Sequence, residues 1–474
     1  MATDPSLWQD KIISITDNTF HLLGQVLSMP RLARVTYLDL RLDYIMPVAT
    51  DMLAIQESRL EMLEMDWSDF SLVEPTVLAK TMLKARQSDV IHFDANVLLS
   101  LLAENLNKDI KLEQLHLNQS DMAGVEVETF TKAVTKLTTL QMTDLRQEKS
   151  HLVALFLALA NEKTELRRVM VAGSPLRDLQ IPEEALALAL NQLEVVEVEG
   201  MSRTQVNAFV HSDPNKSNLL HLELNQCDFS LVSQTQFAAR LNLLQKLDLQ
   251  FCEEITIGQM NALLTSKSSN LTHMVLSNSI DLSNIDPKLL ATQVAKLSRM
   301  EMNDVNNLQS GQVDEIFKML DKENKENDNK KQALLLTTLG LVGINLSSVP
   351  IDRLARVVNA LERANLCRTN ITCCQMKRLL LGPEALVTKL KVLNLKGSPI
   401  ISQTYHWSDL TAIAKRIPLF AFRLKVQINS RMESILFYIA GQISAGTPFR
   451  GRQGRIFQTT TFTISLQVIE NQNA

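Results

Sequence analysis

Leu244–Leu249 reads LQKLDL, and its meaning lies in Leu247 and Leu249, which straddle the charged Asp248. Alternation with a period of two marks a short, half-buried strand. The frame L-x-x-L-x-L recurs along the chain. Clear copies begin at Leu60, Leu112, Leu137, Leu166, Leu193, Leu219, Leu271, Leu297, Leu361 and Leu390, and weaker ones at Asp10, Val35, Ser88, Leu336 and Ile417. That makes about sixteen repeats, with starts roughly 24–29 residues apart. The one wide gap, between Leu297 and Leu336, holds the charged run Asp321–Gln332, DKENKENDNKKQ. It is expected as an exposed loop or helix extension, or, on a functional reading, as a regulatory insertion reaching over the strands.

A strand of this length must be returned to a parallel neighbour by the ~20 residues that follow it, and a crossover of a dozen or more residues is usually a helix. One repeat cannot bury its apolar face alone, whereas stacked repeats share a continuous core. The ninth position, where the chain leaves the strand, carries small polar groups: Asn18, Ser68, Asn96, Ser120, Ser174, Cys227, Cys252, Ser279, Thr369 and Ser398. Leu145, Met201 and Val305 break that series, which predicts looser turns there.

A second period doubles the first. Phe70–Val73, Phe229–Val232 and Leu346–Val349 share an S-x-V turn, matched with one insertion by Leu282–Ile285, and each runs on to a small residue, Ala79, Ala238, Ala355 or Ala291. Alternate repeats instead carry a hydroxyl followed three residues later by Gln: Ser202/Gln205, Thr256/Gln259 and Thr372/Gln375. That spacing is a helix capping box. Ser71 with Glu74 and Ser283 with Asp286 are read as a hydroxyl N-cap with an acid in the first turn.

Composition agrees with a layered aliphatic core: 45% hydrophobic but 5% aromatic, with 21% charged residues and a net charge of -4. Nothing in it points to nucleic acid. Cys227, Cys252, Cys367, Cys373 and Cys374 lack framework spacing, which fits reduced thiols in a cytoplasmic or nuclear setting. Met1–Ile15 has no apolar core of a secretory signal. No stretch reaches the ~18 apolar residues of a membrane helix. The eight histidines are scattered, Cys373–Cys374 has no second CxxC, and no phosphate-binding loop is present. The expectation is therefore no enzyme, no metal and no cofactor.

The L-x-x-L-x-L frame is the leucine-rich-repeat signature, covering about residues 10–425. LDLQFCEEITIGQMNALL (Leu247–Leu264) resembles the cysteine-containing subtype of the ribonuclease-inhibitor-like class. The resemblance implies an α/β solenoid, a horseshoe with a parallel sheet on the concave face and helices on the convex face. It also implies an intracellular protein-binding scaffold. That subtype is common in substrate receptors of Skp1–cullin–F-box ubiquitin ligases, and the sensing arm of an intracellular immune receptor is the other alternative. Met1–Gln9 is too short for an F-box, and no nucleotide-binding domain precedes the array. Either role would need residues beyond this chain.

The fifth residue of each repeat points away from the core. The column reads Ser14, Asp39, Glu64, His92, His116, Gln141, Met170, Glu197, Glu223, Asp248, Val275, Glu301, Gly340, Asn365 and Asn394. Like charges on neighbouring strands repel. Glu197, Glu223 and Asp248 are therefore read as a docking column for a basic segment of a protein partner, with Glu64, Asp66, His116 and Glu199 on the same surface. The third-position column, Arg168, Val195, His221, Lys246, His273 and Arg299, supports a plainer reading. Lys246 with Asp248, and Arg299 with Glu301, would be solvated ion pairs worth ~0–1 kcal/mol each.

Residues 426–474 depart from the repeat. This stretch and its approach carry Arg423, Lys425, Arg431, Arg450, Arg452 and Arg455 against Glu433 and Glu470, and Ile456–Val468 alternates like a strand. The readings are a terminal cap, a basic arm, or a segment of no settled fold. Neither end shows the polar cap that solenoids need. The expectation is a longer product, or end-to-end association with another chain.

Overall fold

The computed structural model describes residues 111–398 apart from short breaks and most of 79–104. Beyond these it describes the strands Ile12–Ser14, Tyr37–Asp39, Met62–Met65, Leu419–Ile428, Arg431–Ala440 and Ser465–Gln467. Asn18, Asp66, Ser68, Ser71, Glu74, Leu145 and Ser279 lie outside the described residues, as does the side chain of Cys373. The chain divides into two compact bodies, Met1–Val232 and Ser233–Ala474.

In the N-terminal body the strands are β1 (Ile12–Ser14), β2 (Tyr37–Asp39), β3 (Met62–Met65), β4 (Gln87–Ile91), β5 (Gln114–Asn118), β6 (Thr139–Thr143), β7 (Arg168–Ala172), β8 (Val195–Glu199) and β9 (His221–Asn225). Each pairs with the next in parallel, from Ile13↔Leu38 to Val196↔Leu222. The described helices are α1 (Ala95–Glu104), α2 (Val127–Val134), α3 (Lys149–Asn161), α4 (Glu183–Gln192) and α5 (Arg203–His211). In the C-terminal body β10 (Lys246–Gln250), β11 (His273–Ser277), β12 (Arg299–Asn303), β13 (Thr338–Val342), β14 (Arg363–Asn365) and β15 (Val392–Asn394) are likewise parallel. They alternate with α6 (Gln234–Leu241), α7 (Ile257–Thr265), α8 (Pro287–Lys296), α9 (Ser310–Lys330), α10 (Ile351–Ala360) and α11 (Cys373–Leu381). β16 (Leu419–Ile428) continues the parallel pairing at Leu393↔Phe420. β17 (Arg431–Ala440) and β18 (Ser465–Gln467) then pair antiparallel.

The core is the aliphatic layer the frame predicts. Fourth and sixth positions such as Leu115/Leu117, Val196/Val198, Leu247/Leu249 and Met300/Met302 are buried. Ala79, Ala238, Ala291 and Ala355 are buried as well. One repeat is framed three residues earlier than the leucine pattern suggested. Glu64 pairs with Asp89, and Asp89 with His116. The fifth position of this repeat is therefore held in register by Asp89, and His92 lies outside the described residues. Ala85 and Ser88 fill the buried first and fourth positions, and Asn96 falls inside α1 rather than in the turn. The mismatch arises because two small residues stand where the frame expects leucines.

The turn out of the strand is made by the eighth residue. Gly173, Gly200, Gln226, Phe251, Asp304, Gly343 and Arg368 all occupy that place, and all have positive φ. The ninth residue then stitches neighbouring repeats. The Met201 N–H donates to Cys227 Sγ at 3.4 Å, and the Thr369 N–H to Ser398 Oγ at 3.1 Å. Met201 and Val305 are fully buried and follow the same left-handed residue, so their turns are not looser.

All three capping boxes form, at Ser202/Gln205, Thr256/Gln259 and Thr372/Gln375. A fourth Gln does the same work unannounced: Gln312 Oε1 accepts from the Gln309 N–H at 2.8 Å before α9. At α8 the reading is corrected. Asp286, not Ser283, is the N-cap, accepting from the Leu289 N–H at 2.8 Å with Pro287 at the first helical position. Proline is favoured there because its missing N–H would be unsatisfied anyway.

The doubled period has a physical cause. Gln375 Nε2 donates to the Leu346 and Val349 carbonyls at 2.8 and 2.7 Å. Gln312 Nε2 donates to those of Leu282 and Ile285 at 2.6 and 2.8 Å, and Gln205 Nε2 to Leu176 at 3.0 Å. The S-x-V turn offers carbonyls, and the capping Gln of the next repeat satisfies them. A second staple sits at the other helix end. Buried Asn242 and Asn359 donate from Nδ2 to the Leu263 and Leu379 carbonyls at 3.3 and 3.1 Å.

The charged run continues α9, a helix of 21 residues, as far as Lys330. Its first residue is not exposed. Asp321 is buried, holding Arg356 through Nε and Nη2 at 2.8 and 2.9 Å and Lys325 at 2.8 Å. Those partners pull its carboxyl down to about 2.

Candidate functional site: the open face of the sheet

With fourth and sixth residues in the core, residues three, five and seven of β5, β8, β9, β10 and β12 form the opposite, open face, as the alternating burial of these strands shows. In the N-terminal body the fifth residues in register are Ser14, Asp39, Glu64, Asp89, His116, Gln141, Met170, Glu197 and Glu223. Acids occupy two runs, Asp39–Glu64–Asp89 and Glu197–Glu223, and no Lys or Arg interrupts the column. The third residues of the same strands contribute Arg168 and His221 as the only basic groups.

Glu197 stands directly opposite Glu223 on adjacent strands, which run about 4.8 Å apart. Both are half-buried. Burial raises the Glu197 carboxyl above the usual carboxylate range, and the charge of Glu223 raises it further. Burial raises Glu223 likewise. Among the described residues no cation pairs with Glu197. Glu199, at the seventh position, is half-buried opposite Asn225. His116 is half-buried between Asp89 and Gln141.

The C-terminal body has a different face. Asp248 lies opposite Val275, and Val275 opposite Glu301. Asp248 accepts from Gln250 Nε2 at 3.0 Å. Arg299 closes on Glu301, with Nε and Nη2 at 2.8 and 2.7 Å from Oε1, which is the plain ion pair expected of those two residues. Glu301 also lies over Gly340, where a Cβ would come within 2.9 Å of its Cγ. Asp89 was missed for want of leucines around it. The eighth-position turn could have been found from Gly173, Gly200 and Gly343, which share one offset in their repeats.

Among the described residues no group of three or more His, Cys, Asp or Glu is placed to hold a metal ion. Nor is any described helix long and apolar enough to cross a membrane. The fold carrying this face is the leucine-rich-repeat solenoid, an array of parallel strands each returned by a helix. No protein-family model and no curated protein matches the sequence. Among solved structures, a similar chain occurs in the crystal structure of the Rad7 and Elc1 complex in yeast. It is 12% identical, with 83% of this chain and 86% of that chain covered and a TM-score of 0.45.

Proposed function

We propose that the protein is a non-catalytic scaffold that binds a protein partner on the open face of the sheet, and that the N-terminal body takes a basic segment. The observation that carries this is Glu197 opposite Glu223, with the column's other acids in register at Asp39, Glu64 and Asp89. Like charges directly opposite each other cost stability, and a sheet under selection for stability alone has no use for them. A Lys- or Arg-rich segment laid across the strands relieves the repulsion and favours the ionised form of both carboxylates.

A display library of peptides panned against the full chain tests this. Enrichment of Lys/Arg-rich segments that disappears with Glu197→Lys/Glu223→Lys is the expected result. Enrichment without basic bias, or retained by that variant with its circular dichroism unchanged, rejects the reading.

A further inference from the structure

We propose that the open face of the C-terminal body binds a second, oppositely charged ligand: an acidic protein segment presenting a carboxylate at every third residue. The third positions of five successive strands read Lys246, His273, Arg299, Thr338 and Arg363, in unbroken register. Lys246, Arg299 and Arg363 are exposed. They sit on alternate strands, so at about 4.8 Å per strand the three cations recur roughly every 10 Å.

That spacing selects a backbone. A polyproline II segment has three residues per turn and rises about 3.1 Å per residue, so every third side chain falls on one face about 9 Å from the last. A β-extended segment would turn residues i and i+3 to opposite faces.

The row is net positive despite the acids beside it. His273, between Lys246 and Arg299, loses proton affinity first through burial and then through both of those charges. Arg299 spends Nε and Nη2 on Glu301, which leaves Nη1 for an incoming carboxylate. Asp248 and Glu301, in the next row of the same face, repel a segment displaced by one row and so fix its track. This surface lies wholly within the C-terminal body and is independent of the Glu197–Glu223 reading.

Two labelled peptides of identical composition separate spacing from bulk charge: (Glu-Pro-Pro)4, and four Glu followed by eight Pro. Fluorescence anisotropy with the full chain is expected to show the spaced peptide binding about tenfold tighter, the sum of a few exposed ion pairs. Lys246→Glu/Arg363→Glu should abolish that preference. Lys288→Glu/Lys377→Glu, an equal charge change at exposed positions of α8 and α11, should leave it in place. Equal binding of the two peptides, binding of neither, tighter binding of a single-stranded oligonucleotide, or a preference that survives Lys246→Glu/Arg363→Glu would each overturn the proposal.

Discussion

At Gly200 the backbone φ is 64°, and a Cβ built there would lie 2.6 Å from Pro175 Cβ and 3.0 Å from its Cα. Glycine is required twice over, for the left-handed turn and for the close approach of the Pro175 backbone. Gly200→Ala should lower stability by about 1–3 kcal/mol, seen as a reduced denaturant midpoint. A midpoint at or above that of the parent would refute the steric argument. At the neighbouring repeats Gln226 and Phe251 hold the same conformation, with φ of 52° and 50°, so the turn geometry is imposed by the stacking rather than by glycine alone. In the sequence the recurring small polar residues at the ninth position point to a turn one residue later, because the eighth varies freely in chemistry. Glu197 makes the opposite kind of prediction. Its folded carboxyl titrates above its unfolded value, so between those values the folded chain binds the extra proton, and stability falls as pH rises through that window. Glu197→Gln should therefore be more stable than the parent above the window, by up to about 1 kcal/mol, and equal to it below. Thermal melts across mildly acid to neutral pH decide it, and a parent more stable at neutral pH would contradict the assignment.

Between elements, the stability of the array depends on amide side chains as well as leucines. Gln375 caps α11, accepting from the Thr372 N–H at 2.8 Å, and donates to two carbonyls of the S-x-V turn before α10. Thr372 contributes only to the cap. Thr372→Ala should cost about 1 kcal/mol. Gln375→Ala, which strands buried carbonyls as well, should cost at least about 1–3 kcal/mol more. Hydrogen exchange should locate the extra loss in the Leu346–Val349 turn as well as in α11. Equal losses for the two variants would mean that the bonds between repeats contribute nothing. The capping boxes were legible in the sequence because a hydroxyl and a Gln three residues apart define them locally. The second role of Gln375 was not, since its acceptors lie 29 and 26 residues away. Nor was the buried state of Asp321. Its guanidinium partner, Arg356, is 35 residues distant on the next helix, and nothing within the run DKENKENDNKKQ distinguishes its first acid from the others.

Within each body the described strands pair with their neighbours in sequence, so cooperativity there should be set by nearest-neighbour interfaces rather than by one core. The leucine frame conveyed this architecture almost completely, because burial at the fourth and sixth positions is a local property repeated many times. Among the described residues it fails where Ala85 and Ser88 replace the bulky layer. The charge pattern of the face was harder to read. One misplaced frame hid Asp89, and whether an acid is paired depends on geometry across strands. The consequence for stability can be measured. Leu276, fully buried on β11, packs in a layer shared with Leu249 on β10 and Met302 on β12. Leu276→Ala should remove about 2–5 kcal/mol from that layer. In a nearest-neighbour array the loss stays local. Amide exchange should rise in β10, β11, β12 and the helices between them, while β5 to β8 in the N-terminal body keep their protection. A uniform rise across both bodies would mean that the chain unfolds as a single cooperative block, and that a ligand bound to the face of one body would stabilise the other equally.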